Sequence, residues 1–270
     1  MLFWPCALFG NVVINEIHYD PDLKNEWVEY IELYNTGSTD VDLTGCYFEG
    51  GISYEFAPGS ILPADGYIIV AQDPSRIHAK WSSGRLGLPP SLVFGPFEGK
   101  LGNEADRVEL CDSHGDRVDR VDYQLGFPWP TVGDAVPENR PGTGYSIQLV
   151  NPLLDNDLAG SWRSAPPTPV ARNTSVWLDN SPPHIRQVKH SPKQPRSGEI
   201  VTVTAKVTDP DGVDGVTLSY QVVEPGSYIN LTDQRYHVSW TDVRMNDGGR
   251  DGDEIAGDDV YCVQLPGSIQ

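Results

Sequence analysis

From Val12 to Asn35 the chain reads VVINEIHYDPDLKNEWVEYIELYN, with apolar and polar residues alternating at a strand's period on either side of a bend at Asp20-Pro21-Asp22. In the second arm Ile31 and Leu33 share one face and Tyr30, Glu32 and Tyr34 the other, the pattern of a half-buried strand. Two paired strands therefore open a sheet. Residues 40–48 predict a short strand broken at Gly45, and Gly50-Gly51 turns the chain into another at 52–56. Residues 67–71 (YIIVA) are apolar throughout, as suits a central strand covered on both faces. Asp73-Pro74-Ser75 caps a short helix over 76–81, closed by Ser82-Ser83-Gly84.

A loop punctuated by proline and glycine, 88–102, carries Leu92, Val93, Phe94 and Phe97, which need cover. Residues 108–111 and 118–123 form a hairpin through Asp112 to Gly115, and a turn at Pro141-Gly142 leads to a last strand at 145–150 and then Trp162. Trp27, Trp129 and Trp162 read as core or sandwich-end plugs rather than a ligand platform. The run SAPPTPVARNTSVWLDNSPP, 164–183, has a linker's composition, stiff and extended. Beyond it alternation is cleaner. Strands are predicted at 185–188, 200–207, 216–223, 236–240 and 260–265, five where an immunoglobulin or fibronectin-type sandwich has about seven, so this second module reads as truncated.

Composition agrees with many short strands: Gly 27 and Pro 23 in 270 residues imply an all-β protein with two modules. The formal net charge of -19 is spread over both modules, with no basic patch apparent, and disfavours nucleic acid as a partner. Cys6, Cys46, Cys111 and Cys262 lack zinc-knuckle spacing; Cys46 and Cys111 read as small buried apolar residues rather than a bridge. The opening MLFWPCALFG is apolar without a basic flank and resembles the remnant of a leader over 1–11, and no run approaches a membrane span.

One dense cluster of hard oxygen donors stands out in the loop 246–259. Asn246, Asp247, Asp251, Asp253, Asp258 and Asp259 lie on a glycine-rich backbone. Two readings compete: a calcium site with Asp247, Asp251, Asp253, Asp258 and Asp259 as ligands, or a solvated hairpin whose Asp and Gly residues serve turn geometry. The spacing is not that of an EF-hand. Asp209-Pro210-Asp211-Gly212 is a turn first and an extra ligand second. His18, with Asp20 beside it, reads as a solvent-facing strand histidine. The acid pairs Glu29 with Glu32 and Asp119 with Asp122 mean little without a cleft, and phosphate loops, dinucleotide fingerprints and nucleophile elbows are absent from the sequence.

The motifs NEI at 15–17, EYIELYN at 29–35, VDLTG at 41–45, GISYEFAPGSILPADGYIIVA at 51–71, RVELCDSHGDRVDRVDY at 107–123 and SWRSAPPTPVARN at 161–173 follow in the order found in lamin-tail domains. The chain resembles that immunoglobulin-like module of nuclear lamins, which also occurs in exported bacterial proteins. The second module, through PHIRQVKHSPKQPRSGEIVTVTAKVTDPDGV and MNDGGRDGDEIAGDDVY, resembles bacterial immunoglobulin-like segments found beside lamin-tail and spore-coat-type kinase domains; Gly248 and Asp259 depart from that family's acidic motif. The expectation is an immunoglobulin-like lamin-tail β-sandwich at 12–173, a linker at 174–184 and a truncated immunoglobulin/fibronectin-like sandwich at 185–270. The resemblance implies a non-catalytic interaction or spacer unit of an exported or cell-surface protein, with an unknown protein or polysaccharide partner. The alternative is an accessory region of a secreted enzyme whose catalytic domain lies beyond residue 270.

Overall fold

The computed structural model describes residues 10–21, 26–81, 87–132, 144–224 and 226–269. The chain divides into two compact units, Met1–Asp179 and Asn180–Gln270. Cys6, most of the apolar opening and the turns at 82–84 and 141–142 lie outside the described residues.

In the first unit the elements run β1 (Val12–His18), β2 (Tyr30–Asn35), β3 (Val41–Asp42), β4 (Tyr47–Gly50), β5 (Ile52–Glu55), β6 (Ile61–Leu62) and β7 (Tyr67–Ala71), then helix α1 (Pro74–Trp81). They continue with β8 (Val93–Phe94), β9 (Glu98–Gly99), β10 (Ala105–Cys111), β11 (Arg117–Gln124), β12 (Ser146–Leu149) and β13 (Trp162–Ala165). One sheet has the order β13-β12-β1-β2-β7-β8 and the other β11-β10-β4-β5-β9, while β3 and β6 form a small ribbon. All pairings are antiparallel except β7 with β8.

The alternation read from the sequence sets the core between these sheets. Ile14, Ile17, Ile31, Leu33, Ile68, Val70 and Ile147 come from one sheet, and Phe48, Ile52, Val108, Leu110 and Val121 from the other. The hydrophobic gain from this burial is the main force holding the sandwich. Trp162 is fully buried and donates its indole N–H to the Asn156 carbonyl at 2.6 Å; Trp129 packs beside it, ring centroids 6.3 Å apart. Trp27 departs from expectation: it precedes β2, lies outside both cores and is 61% exposed. Cys46, Cys111 and Cys262 are free thiols in buried positions.

Strand β2 is buried on both faces, not one. Its outer face is covered by α1, through a second cluster of Val28, Tyr30, Ile69, Ala71, Ile77 and Val93, and by the segment after β13, whose Val170 joins that cluster. That segment was predicted to be extended linker. Instead the Asn173 side chain donates to the carbonyls of Asn15 at 3.0 Å and Leu149 at 2.9 Å, and the Leu178 amide bonds to the Val150 carbonyl. The proline-rich run forms a strap across the sheet because the outward side chains of β1 and β2 are polar groups that need partners once covered.

The second unit contains β14 (His184–Ser191), β15 (Val201–Thr208), β16 (Val216–Tyr220), α2 (Gln234–Val238), β17 (Thr241–Met245) and β18 (Val260–Leu265). Its sheets are β14-β15-β18 and β16-β17, around Ala205, Val207, Met245 and Val263. The strand predicted at 236–240 is helix for most of its length. Asp233 caps it by accepting the Arg235 amide at 2.9 Å, and Tyr236 and Trp240, one turn apart, bring their rings to 5.5 Å. The strand forms instead at β17, directly after the helix.

Asn173→Ala should destabilise the first unit by about 2–3 kcal/mol, because two buried carbonyls lose their donor. Chemical denaturation of the purified chain checks this; a linker residue would change stability by less than about 0.5 kcal/mol.

Candidate functional site

Titratable groups gather in the acidic loop of the second unit and in a buried polar layer of the first, and Glu49, Glu109 and Cys111 also lie together on the first unit. The loop is pinned at its base, where Asn246 and Cys262 exchange backbone hydrogen bonds of 2.8 and 2.7 Å. Inside it, Asp247 Oδ1 accepts the Gly257 amide at 2.8 Å and Oδ2 the Asp259 amide at 3.1 Å; Asp253 Oδ2 accepts from Gly249 at 2.6 Å and Asp258 Oδ1 from Val260 at 3.0 Å. Gly252, at φ +97, lets the loop settle on the sheet, since a Cβ there would sit 2.9 Å from Thr202 Cγ2. The Cys262 thiol beneath it donates to the Gly252 carbonyl.

Of the five predicted ligands, three converge. Asp247, Asp253 and Asp258 each present a carboxylate oxygen, all within 4.8 Å of one another. Oxygens bound to one calcium at about 2.3–2.6 Å can be that far apart, so the spacing fits one ion. Asp251 points away with its side chain 76% exposed, and Asp259 is also outside the group. Both have left-handed backbones, φ 53 and φ 64, and so shape the turn. Asp209 closes its own turn, accepting the Asp211 amide at 2.9 Å, and is not part of the cluster.

The buried layer was not foreseen. Glu16 and Glu32 are register partners on β1 and β2, both with no exposed surface. Glu16 accepts hydroxyl hydrogen bonds from Tyr30 and Ser146, and from Thr168 at 2.8 Å, and the Thr168 amide at 3.1 Å. Glu32 accepts from the Asn15 side chain and the Val170 amide, each at 2.7 Å. Burial pushes both carboxyls upward, and their facing charges oppose ionisation of both together; the hydrogen bonds work in the opposite direction.

His18 corrects a prediction directly. Far from facing solvent, it is fully buried, with Nδ1 3.0 Å from the Val28 carbonyl and Nε2 3.1 Å from that of Gly144. Strand alternation does place it outward, but α1 covers that face, and Trp81 lies edge-on at 6.0 Å. Burial pulls its pKa down to about 4, so at neutral pH the ring has one N–H and donates to one of the two carbonyls.

The other acid pairs do not meet in a cleft. Glu29 accepts the Leu101 amide, while Glu32 faces the strap. Asp119 is buried against the Ile14 amide and the Asn156 side chain, while Asp122 pairs with Arg107 at the surface. Burial raises Glu29 to about 7 and Asp119 to about 6.

Together, two facing sheets, a covered outer face and polar groups consumed by internal hydrogen bonds define an all-β, immunoglobulin-like sandwich module. Residues 7–124 match the family model described as Lamin Tail Domain, in agreement with the resemblance carried by the first unit's motifs. Strands β12 and β13, which complete the six-stranded sheet, and the strap lie beyond the match. No curated protein matches the chain.

These shifts oppose one another in pH. Glu29 and Asp119, raised above their unfolded values, contribute stability below about pH 4 that is lost as pH climbs through 6 to 7. His18, lowered, contributes stability above about pH 6.5 that is lost as pH falls through 4. Comparing wild type with His18→Gln cancels the carboxylates: between pH 7 and pH 4 the wild type should lose about 3 kcal/mol relative to the variant. Urea titrations across that range measure the difference, and a pH-independent gap would contradict a buried neutral imidazole.

Proposed function

We propose that this chain is a non-catalytic interaction and spacer unit of a larger exported or cell-surface protein. The observation that carries this reading is where the perturbed groups sit. Glu16, Glu29 and Glu32, whose raised carboxyls would suit acid–base chemistry, and the neutral His18 are enclosed and bonded to main-chain and neighbouring side-chain groups, with no face open to a substrate. Among the described residues no helix is long and apolar enough to cross a membrane. The lamin-tail match in the first unit supports a module whose role is contact, with a protein or polysaccharide as partner. Its negative charge sets it against nucleic acid.

A structural calcium ion held by Asp247, Asp253 and Asp258 forms part of the proposal. Three carboxylates drawn together repel, and a divalent cation relieves that while tying the β17–β18 connection. The ion adds stability, not chemistry.

Purified chain should leave chromogenic phosphodiester, peptide and glycoside substrates intact; turnover lost on His18→Gln or Asp253→Asn would overturn the non-catalytic reading. Calcium at about a hundred times its Kd should stabilise the second unit by about 2.7 kcal/mol. The shift should vanish in Asp253→Asn and survive in Asp251→Asn, as followed by thermal melting. A melting temperature indifferent to calcium removes the ion and leaves a hairpin.

A further inference from the structure

On the outward face of the second unit's three-stranded sheet the β14 side is basic, while the acidic loop rests on the β18 side of the same face, Gly252 lying against Thr202 and Gln264. Between His184 and Gly198 there is no aspartate or glutamate, yet four of the chain's nineteen lysines and arginines fall there. The register concentrates them. Arg186 pairs with Lys206 and Lys189 with Thr204, the β14 register shifting between the two. Because Thr202, Thr204 and Lys206 share the face opposite the core residues Val203, Ala205 and Val207, the bulge puts Arg186 and Lys189 on that same outward face although they are three apart. Like charges directly across a strand pair repel, and none of Arg186, Lys189 and Lys206 forms an ion pair among the described residues. Arg186 Nη1 is enclosed without any hydrogen-bond partner.

Two further features adjoin these cations. A groove of about 770 Å³ is lined by Lys189 and Lys193 and by the hydroxyl residues Ser191, Thr202 and Thr204. Among the described residues strand β14 is an edge, bonded to β15 on one side only, with Ile185 65% and Val188 63% exposed.

We infer that this face docks an extended acidic polypeptide segment of a partner protein, its carboxylates on Arg186, Lys189 and Lys206 and its backbone along the open edge of β14. The open edge favours a polypeptide over other polyanions, because peptide N–H and C=O groups complete its ladder as a saccharide or nucleic acid cannot. Lysines and a bulge discourage an uncharged strand from pairing; an acidic one turns that barrier into attraction. Screening over about 8 Å lets a short segment feel the local cations, whereas a long polyanion meets the field of the whole acidic chain. The inference rests on the interaction reading of the chain and gives its partner a chemistry.

The test uses the whole chain and a fluorescein-labelled peptide of alternating glutamate and threonine as long as β14. Fluorescence anisotropy should show saturable binding that weakens with salt. Binding should drop by about tenfold or more in Arg186→Gln/Lys189→Gln/Lys206→Gln. It should persist in the charge-conserving Arg186→Lys/Lys206→Arg and in Arg76→Gln on the first unit. Melting curves matching the wild type establish that the triple variant is folded; if it is not, Lys189→Glu alone carries the comparison. Equal binding of a glutamine-for-glutamate peptide, binding unmoved by the substitutions, tighter capture of heparin or single-stranded DNA, or self-association of the chain through this face would each overturn the inference. Such a failure leaves the non-catalytic reading to its own turnover assay.

Discussion

Two glutamates facing each other inside the first unit determine how that unit must be built. Glu16 and Glu32 sit on adjacent central strands with no exposed surface, and an uncompensated pair of buried carboxylates is strongly unfavourable. The compensation comes from the strap after β13, which lays the Thr168 and Val170 amides and the Thr168 hydroxyl onto them, and from Asn15, Tyr30 and Ser146 on the sheet. Asn173 then fastens the strap to β1 and β12. The acids specify where the strap lies, since a strap displaced by one residue would leave donors and acceptors unmatched. The apolar core gives the sandwich its stability, and this polar layer gives its outer face a single arrangement.

Period-two alternation made much of the first unit legible in the sequence. Strands β1, β2, β7, β10, β11 and β12 lie where it placed them, and Asp73 caps α1 through hydrogen bonds to Ser75 and Arg76. Burial of the second face was not legible, because alternation reports two faces without saying whether anything covers the polar one. Glu32, His18 and Tyr34 look the same in sequence whether they meet water or a strap. The proline, serine and threonine content of 164–183 suggests a linker; the structure uses the Thr168 and Val170 backbone amides as donors to the Glu16 and Glu32 carboxylates, a role with no periodic signature. In the second unit aromatic spacing misled at 236–240, where Asp233 at the N-cap was the local signal for helix.

Charge is used differently in the two units. The first encloses Glu16 and Glu32 and satisfies them internally. In the second, Asp247, Asp253 and Asp258 gather in a loop over the β18 side of a sheet whose β14 side presents Arg186, Lys189 and Lys206. The acidic cluster was visible in sequence as a dense run, although its membership was not, because Asp251 and Asp259 serve turns with left-handed backbones. The basic face was missed for a related reason. Net charge averages it away, and only the bulge in β14 brings residues three apart to the same side.

Hydrogen exchange at the strap tests the central constraint most directly. If the Thr168 and Val170 amides are held by the buried carboxylates, they should exchange only with global unfolding, as slowly as the amides of β1 and β2. Exchange at the rate of an exposed loop, with β1 and β2 still protected, would mean that the acids do not depend on the strap and would contradict the account.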